Sequence, residues 1–284
     1  MRAERLPGAG ASTTTRAVRL LLLTLLAALA APLARAQESG WPTGEEIARR
    51  INARDEGETL SRSIRMQLID KRGHERERDT RSFRKYYGAD KKTAIFFVSP
   101  QSIRNTAFLT FDYADPERDD DQWIYLPALR KVRRISASDR GDSFFGTDLT
   151  YDDVKRETKV TIEDYHWKTV GEERLGDYPC YVLEALPVDD ATERELGYSK
   201  VRSWVDSEIW MVRRADYWDI HGDLLKRVDV EEIRLVQGIW TPHRIEVRNV
   251  KKGHRSIFTF SQVDYAGGID DDLFTERMLR RGAP

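Results

Sequence analysis

The strongest constraint on this chain's fold is a period of two in its apolar residues that holds, with short breaks, from residue 61 to residue 263. Ile64, Met66 and Leu68 alternate with Arg65 and Gln67, while Ala107, Leu109, Phe111 and Tyr113 alternate with Phe108, Thr110 and Asp112. Alternation of this kind sends successive side chains to opposite faces of a strand. Segments at 74–87, 93–98, 158–169, 178–186, 198–206, 208–216, 224–236, 239–249 and 255–263 also read as strands. Turn signals such as Lys71-Arg72-Gly73, His221-Gly222-Asp223 and Lys252-Gly253 separate them. Ten or eleven antiparallel strands beside three short helical pieces predict an all-β architecture. The helical pieces are 41–54, capped by Thr43; the segment around 150–153; and one led by Asp270–Asp272 that puts Leu273, Phe274, Met278 and Leu279 on one side. A sheet this wide curls, splits or closes. Strands 93–98 and 106–113 are apolar on both faces, as a strongly curved sheet would be if helices or a ligand covered its concave side.

The N-terminus reads as an export signal. Arg2, Arg5, Arg16 and Arg19 precede an apolar run from Leu20 to Ala31, broken only by Thr24, and Ala34-Arg35-Ala36 has the small-x-small form of a cleavage site. The run is too short to span a bilayer, which takes about 20 residues. Residues 1–36 are therefore predicted to be removed before Gln37, leaving 37–284 as one domain in the periplasm. Loss of the leader's five arginines and one glutamate shifts the net charge from −1 to −5. A mildly acidic product of this kind argues against nucleic acid as a partner. All 28 Trp, Tyr and Phe residues lie beyond the leader, enough for a core and a cavity. Cys180 is the chain's one cysteine, so no internal disulfide can form, and its setting, YPCYVLEAL, is that of a strand.

Residues 121–151 depart from this pattern. A strand carrying Trp123 and Tyr125 ends at Pro127, which cannot donate to a ladder. Arg130, Lys131, Arg133 and Arg134 follow around Val132, and then a Ser/Asp/Gly segment sets Phe144 beside Phe145 between Gly141 and Gly146. Adjacent phenylalanines in a polar, glycine-flanked loop need an apolar receiver. They are either core plugs or a gate; the four cations are either a solvated strand end or a docking patch. The other chemistry-bearing residues form no recognisable site. The five histidines are scattered singly, the aspartate runs suit turns and caps, and Ser143 is in no nucleophile elbow. No metal, cofactor or catalytic activity is predicted.

The run WIYLPALRKVRRISASDRGDSFFGTDLTYDD, followed by YPCYVLE, YSKVRSWVD and GIWTPHRIEVRN, resembles the LolA-like family of outer-membrane lipoprotein-sorting proteins across nearly the whole exported chain. The resemblance implies an incomplete, strongly curved antiparallel β-barrel of the LolA/LolB type, with helices covering the concave side. It also implies a monomeric carrier of lipoprotein acyl chains or lipid, working with an inner-membrane RND-type transporter and an outer-membrane acceptor. On this reading Ile64, Met66, Leu68, Leu109, Phe111, Trp123 and Tyr125 are candidate cavity walls, Phe144 and Phe145 a gate, and Arg130, Lys131, Arg133 and Arg134 a partner or headgroup patch. The rival is a non-catalytic scaffold of an envelope complex, whose interior would be filled by its own side chains.

Overall fold

The computed structural model describes residues 40–115, 118–136 and 139–284, and the expected leader lies outside them. Residues 42–284 form one compact unit. The strands are β1 (Thr59–Ile69), β2 (Glu75–Tyr87), β3 (Asp90–Ser99), β4 (Ala107–Asp112), β5 (Asp121–Leu126), β6 (Lys131–Arg134), β7 (Tyr165–Leu175), β8 (Tyr178–Pro187), β9 (Lys200–Asp206), β10 (Val212–Trp218), β11 (Leu224–Glu231), β12 (Arg234–Val236), β13 (Ile239–Thr241), β14 (Arg244–Asn249) and β15 (His254–Asp264). Thirteen of them make a single curved antiparallel sheet that does not close into a barrel, in the order β6-β5-β4-β3-β2-β1-β15-β14-β11-β10-β9-β8-β7. The other two, β12 and β13, pair as a separate hairpin.

This order dictates what covers the sheet. The chain meanders outward from β1 to one edge at β6, resumes at the opposite edge with β7, and works back until β15 pairs with β1. Twelve strand spacings of about 4.8 Å separate the two edges, roughly 58 Å if the sheet were flat. Residues 135–164 must bridge them, and their apolar side chains lie on the inner face: Phe144, Leu149, Tyr151 and Val154 pack against Ile64, Met66, Ile95, Phe108 and Phe258. This crossing is the flap that the sequence marked by Phe144-Phe145.

Among the described residues, four α-helices accompany the sheet. α1 (Gly44–Asn52) starts at Thr43, whose side chain accepts from Glu46 N while Glu46 reaches back to Thr43 N. Its Ile47 and Ile51 are buried against Leu183 and Val205, and it lies on edge strand β7. Gly44 permits that approach, because a Cβ there would sit 2.4 Å from Lys168 N. α2 (Tyr151–Arg156) lies in the flap and begins with a capping box between Thr150 and Asp153. α3 (Asp190–Leu196), absent from the sequence-based expectation, is capped by Asp189 and stopped by Gly197 at φ 75°. The C-terminal piece is a 3-10 turn, Asp271–Phe274, followed by α4 (Glu276–Arg281). It packs on the outer face, where Leu273, Phe274 and Leu279 meet Phe83, Phe96, Leu109 and Tyr125. The helices thus divide between the two faces instead of all covering the concave one.

Four strand segments differ from the period-two pattern for local reasons. The expected long strands 224–236 and 239–249 are each broken. Glu232 takes φ 51° and Pro242 offers no donor, which lets β12 and β13 leave the sheet as their own hairpin. The β9–β10 connection is wider than expected, because Asp206 Oδ1 accepts from Glu208 N and Ile209 N and holds the turn open. Residues 158–164 belong to the flap: Asn52 of α1 bonds Val160 through both its amide nitrogen and its oxygen, at 2.7 and 2.9 Å, in place of a neighbouring strand.

Candidate functional site

Between the flap and the inner face lies a cavity of about 200 Å³. Its floor comes from strands far apart in sequence: Ile64 and Met66 on β1, Val201 on β9, Ala215 on β10, Val228 on β11, Ile245 on β14, and Phe258 and Phe260 on β15. Phe144, Leu149 and Val154 of the flap form the roof. The two phenylalanines are set by backbone geometry. Phe145 adopts φ 49° and Gly146 φ 78°, a reversal that drives Phe144 inward to complete burial. Its ring meets Phe108 at 5.3 Å and Tyr151 at 5.5 Å, while Phe145 meets Phe97 at 4.8 Å. These are edge-on contacts of the favourable kind.

Among the polar contacts that hold the flap down, three run from its own carboxylates. Asp148 accepts from Ser256 Oγ at 2.7 Å and lies 2.6 Å from His254 Nδ1. Asp153 pairs with buried Lys226 at 2.5 Å, and Lys226 donates to Tyr198 OH at 2.6 Å. Glu157 is clamped between Arg62 and Arg84, the latter at 3.0 Å. Burial alone would raise the Glu157 pKa, but the charges of Arg62, Arg84 and Lys91 outweigh it and hold the carboxyl down at about 2. Asp152 is lowered in the same way, with Arg156 and Lys155 overcoming its burial. Burial and the neighbouring Asp153 push the Tyr198 phenol up.

One pole of the cavity is charged. Arg54, Arg62, Glu157 and Lys159 line it, with Glu56 and Arg84 just behind. Cys180 lies elsewhere, buried on β8, and burial with nearby Asp206 raises its thiol to about 11, far from the thiolate form that reacts.

The structure brings only some of the predicted residues together. Ile64, Met66 and Phe144 line the cavity; Leu68 and Phe145 belong to the same apolar cluster but lie off the lining. Leu109, Phe111, Trp123 and Tyr125 point the other way and pack in the outer cluster with Leu273 and Phe274. On β4 and β5 it is Phe108 and Ile124, one position away, that join the inner cluster. The reason is parity, since a strand apolar on both faces does not declare which face is inside. Arg130, Lys131, Arg133 and Arg134 sit at and beside the edge strand β6. Arg134 pairs with Asp121 and Arg133 with Asp139, at 3.3 Å for the second, and none of the four lines the cavity. Sequence reasoning missed Phe258 and Phe260, although their spacing of two was visible. It also missed the charged pole, whose members come from four separate segments and share no motif.

A half-open antiparallel sheet crossed by a flap over an apolar cavity is a LolA-like fold. A solved DUF1329 family protein from Desulfovibrio piger matches over 83% of this chain and 97% of its own, at 29% identity and a TM-score of 0.76. An outer membrane lipoprotein-sorting protein domain from Vibrio parahaemolyticus matches over 84% and 98%, at 27% identity and a TM-score of 0.75. A LolA superfamily protein from Nitrosomonas europaea has the same fold at 21% identity and a TM-score of 0.63, over 84% of this chain and all of its own. A family model described as "uncharacterized protein" matches residues 89–281, and the chain belongs to that family. No curated protein matches it.

Proposed function

We propose that this protein is a soluble, non-catalytic carrier in the periplasm that holds acyl chains of lipoproteins or lipids in the cavity and moves them between the envelope membranes. The observation that carries the reading is the apolar cavity roofed by a flap whose own aromatic side chains fill the adjoining volume. At about 200 Å³ the cavity is below the roughly 300–1,000 Å³ of ordinary ligand pockets. A guest therefore enters by displacing Phe144 and its neighbours. The energetics favour that exchange. About fifteen methylenes, at about 0.8 kcal/mol each, gain about 12 kcal/mol on leaving water, against about 3 kcal/mol to expose each phenylalanine. The donor would be an inner-membrane RND-type transporter and the acceptor an outer-membrane component. Among the described residues no helix is long and apolar enough to cross a membrane, and the leader-like start suits export across the inner membrane before cleavage near Ala36/Gln37.

Native mass spectrometry of protein isolated from its own periplasm tests the reading. A lipid-sized mass increment that detergent strips and a fluorescent acyl probe replaces is the expected result. Protein that carries no lipid and binds no acyl probe would instead be a scaffold whose interior is filled by its own flap.

A further inference from the structure

The charged pole of the cavity holds more cations than the carboxylates beside it can neutralise. Four cations, Arg54, Arg62, Arg84 and Lys159, surround two carboxylates, Glu56 and Glu157. Lys91, next on the same floor, has its own partner in Asp112 at 3.0 Å. The two carboxylates are shared at long range as well: Glu56 is 3.6 Å from Arg84, 3.9 Å from Arg54 and 4.0 Å from Lys159. Backbone carbonyls take up some of the donors, with Arg54 bonding Thr158 O and Lys159 bonding Asn52 O. The Nε atoms of Arg62 and Arg84 are buried and have no acceptor. Arg62 also lies over Phe260, a cavity wall, with its guanidinium carbon 4.5 Å from the ring centre. A buried cation without a matching anion is costly. The effect is visible in Arg54 and Lys159, both of which burial makes easier to deprotonate despite Glu56.

Resting on the carrier reading, we infer that this pole is a headgroup site and that the cargo is an acyl chain ending in a single anionic group, a carboxylate or a phosphate. The chain lies along Ile64, Val228 and Phe258, and the head sits among Arg54, Arg62 and Lys159, supplying the acceptor that Glu157 supplies only in part. Guanidinium groups suit such oxyanions through paired N–H donors. The acylated glyceryl-cysteine anchor of a lipoprotein has no charge at the corresponding point, so the pole favours a free anionic lipid over a lipoprotein as cargo.

Displacement of a fluorescent acyl probe from the whole protein tests this with matched C16 compounds. Palmitate and hexadecyl phosphate are expected to displace the probe at least about tenfold more tightly than hexadecanol or methyl palmitate. Lys159→Gln and Arg62→Gln should each bring that ratio toward one by weakening the two charged compounds far more than hexadecanol, and Arg62→Lys should keep most of it. Thermal melts verify that each variant is folded, and Lys159→Gln, at the edge of the cluster, is the milder of the two. Equal affinity for charged and uncharged chains would overturn the headgroup site and leave the carrier standing. Failure of every C16 compound and of the probe to bind would overturn both. Displacement by inorganic phosphate or acetate at the concentrations effective for the amphiphiles would make the cluster a site for free anions and overturn the proposal.

Discussion

The two faces of the one sheet are closed by different chemistry. On the outer face, the C-terminal turn and α4 press Leu273, Phe274 and Leu279 onto Phe83, Phe96 and Leu109, a mainly carbon-to-carbon contact with Asp271 tied to Lys85 and Tyr87 at its exposed rim. On the inner face the flap packs its own apolar side chains, leaves a cavity and is secured by hydrogen bonds of Asp148 with Ser256 and His254 and by ion pairs from Asp153 and Glu157 to groups on the sheet. Hydrophobic packing has no cheap alternative to itself, because whatever separates the surfaces exposes them to water. A latch of charges over a cavity can be exchanged, since a guest can supply both the apolar surface and the counter-charge. On the carrier reading, the outer face fixes the fold and the inner face is the part that changes.

The largest effect should come from breaking the inner latch. Glu157→Ala strands Arg62 and Arg84 in a buried setting and is expected to cost about 3–5 kcal/mol in urea unfolding. Losses under 1 kcal/mol would mean that the latch is solvated and the contrast between the faces is false. Next, Phe144→Ala and Leu279→Ala should cost similar stability, about 3–5 and 2–5 kcal/mol, yet differ in binding. The first enlarges the cavity and should tighten binding of an acyl probe; the second should leave it unchanged. Equal effects on the probe would show that the flap and α4 do the same job.

Acid provides the third test. The Glu157 pKa is about 2 in the fold against 4.5 in the unfolded chain, a depressed value. Its stabilisation is therefore fully present above about pH 4.5 and is lost as pH falls toward 2, for a total of about 3 kcal/mol. Asp152 shifts in the same direction. The stability gap between the parent protein and Glu157→Gln should accordingly shrink between pH 6 and pH 3, whereas the Leu279→Ala gap should hold. The smallest effect belongs to the basic edge: Arg133→Ala and Arg134→Ala, at exposed positions, should change stability by no more than about 0.5 kcal/mol.

Sequence alone determined most of the strands, their antiparallel nature, the excess of apolar faces that demands curvature, and the flap's two phenylalanines. All of these are written in nearest-neighbour patterns: a period of two, glycine flanks, a capping box at Thr43. α3 was legible too, in Asp189 and Gly197, but its polar face gave no apolar stripe to notice. Tertiary structure alone decided which face of β4 and β5 is the inside, so Phe108 and not Leu109 joins the inner cluster, because the alternation of a doubly apolar strand is symmetric until something covers one side. It also decided the route of residues 135–164, a consequence of strand order, which no local pattern records. The charged pole was the least visible of all. Arg54, Arg62, Arg84 and Glu157 are ordinary surface residues in the sequence, and they become a site only because a curved sheet brings four segments to one place out of water.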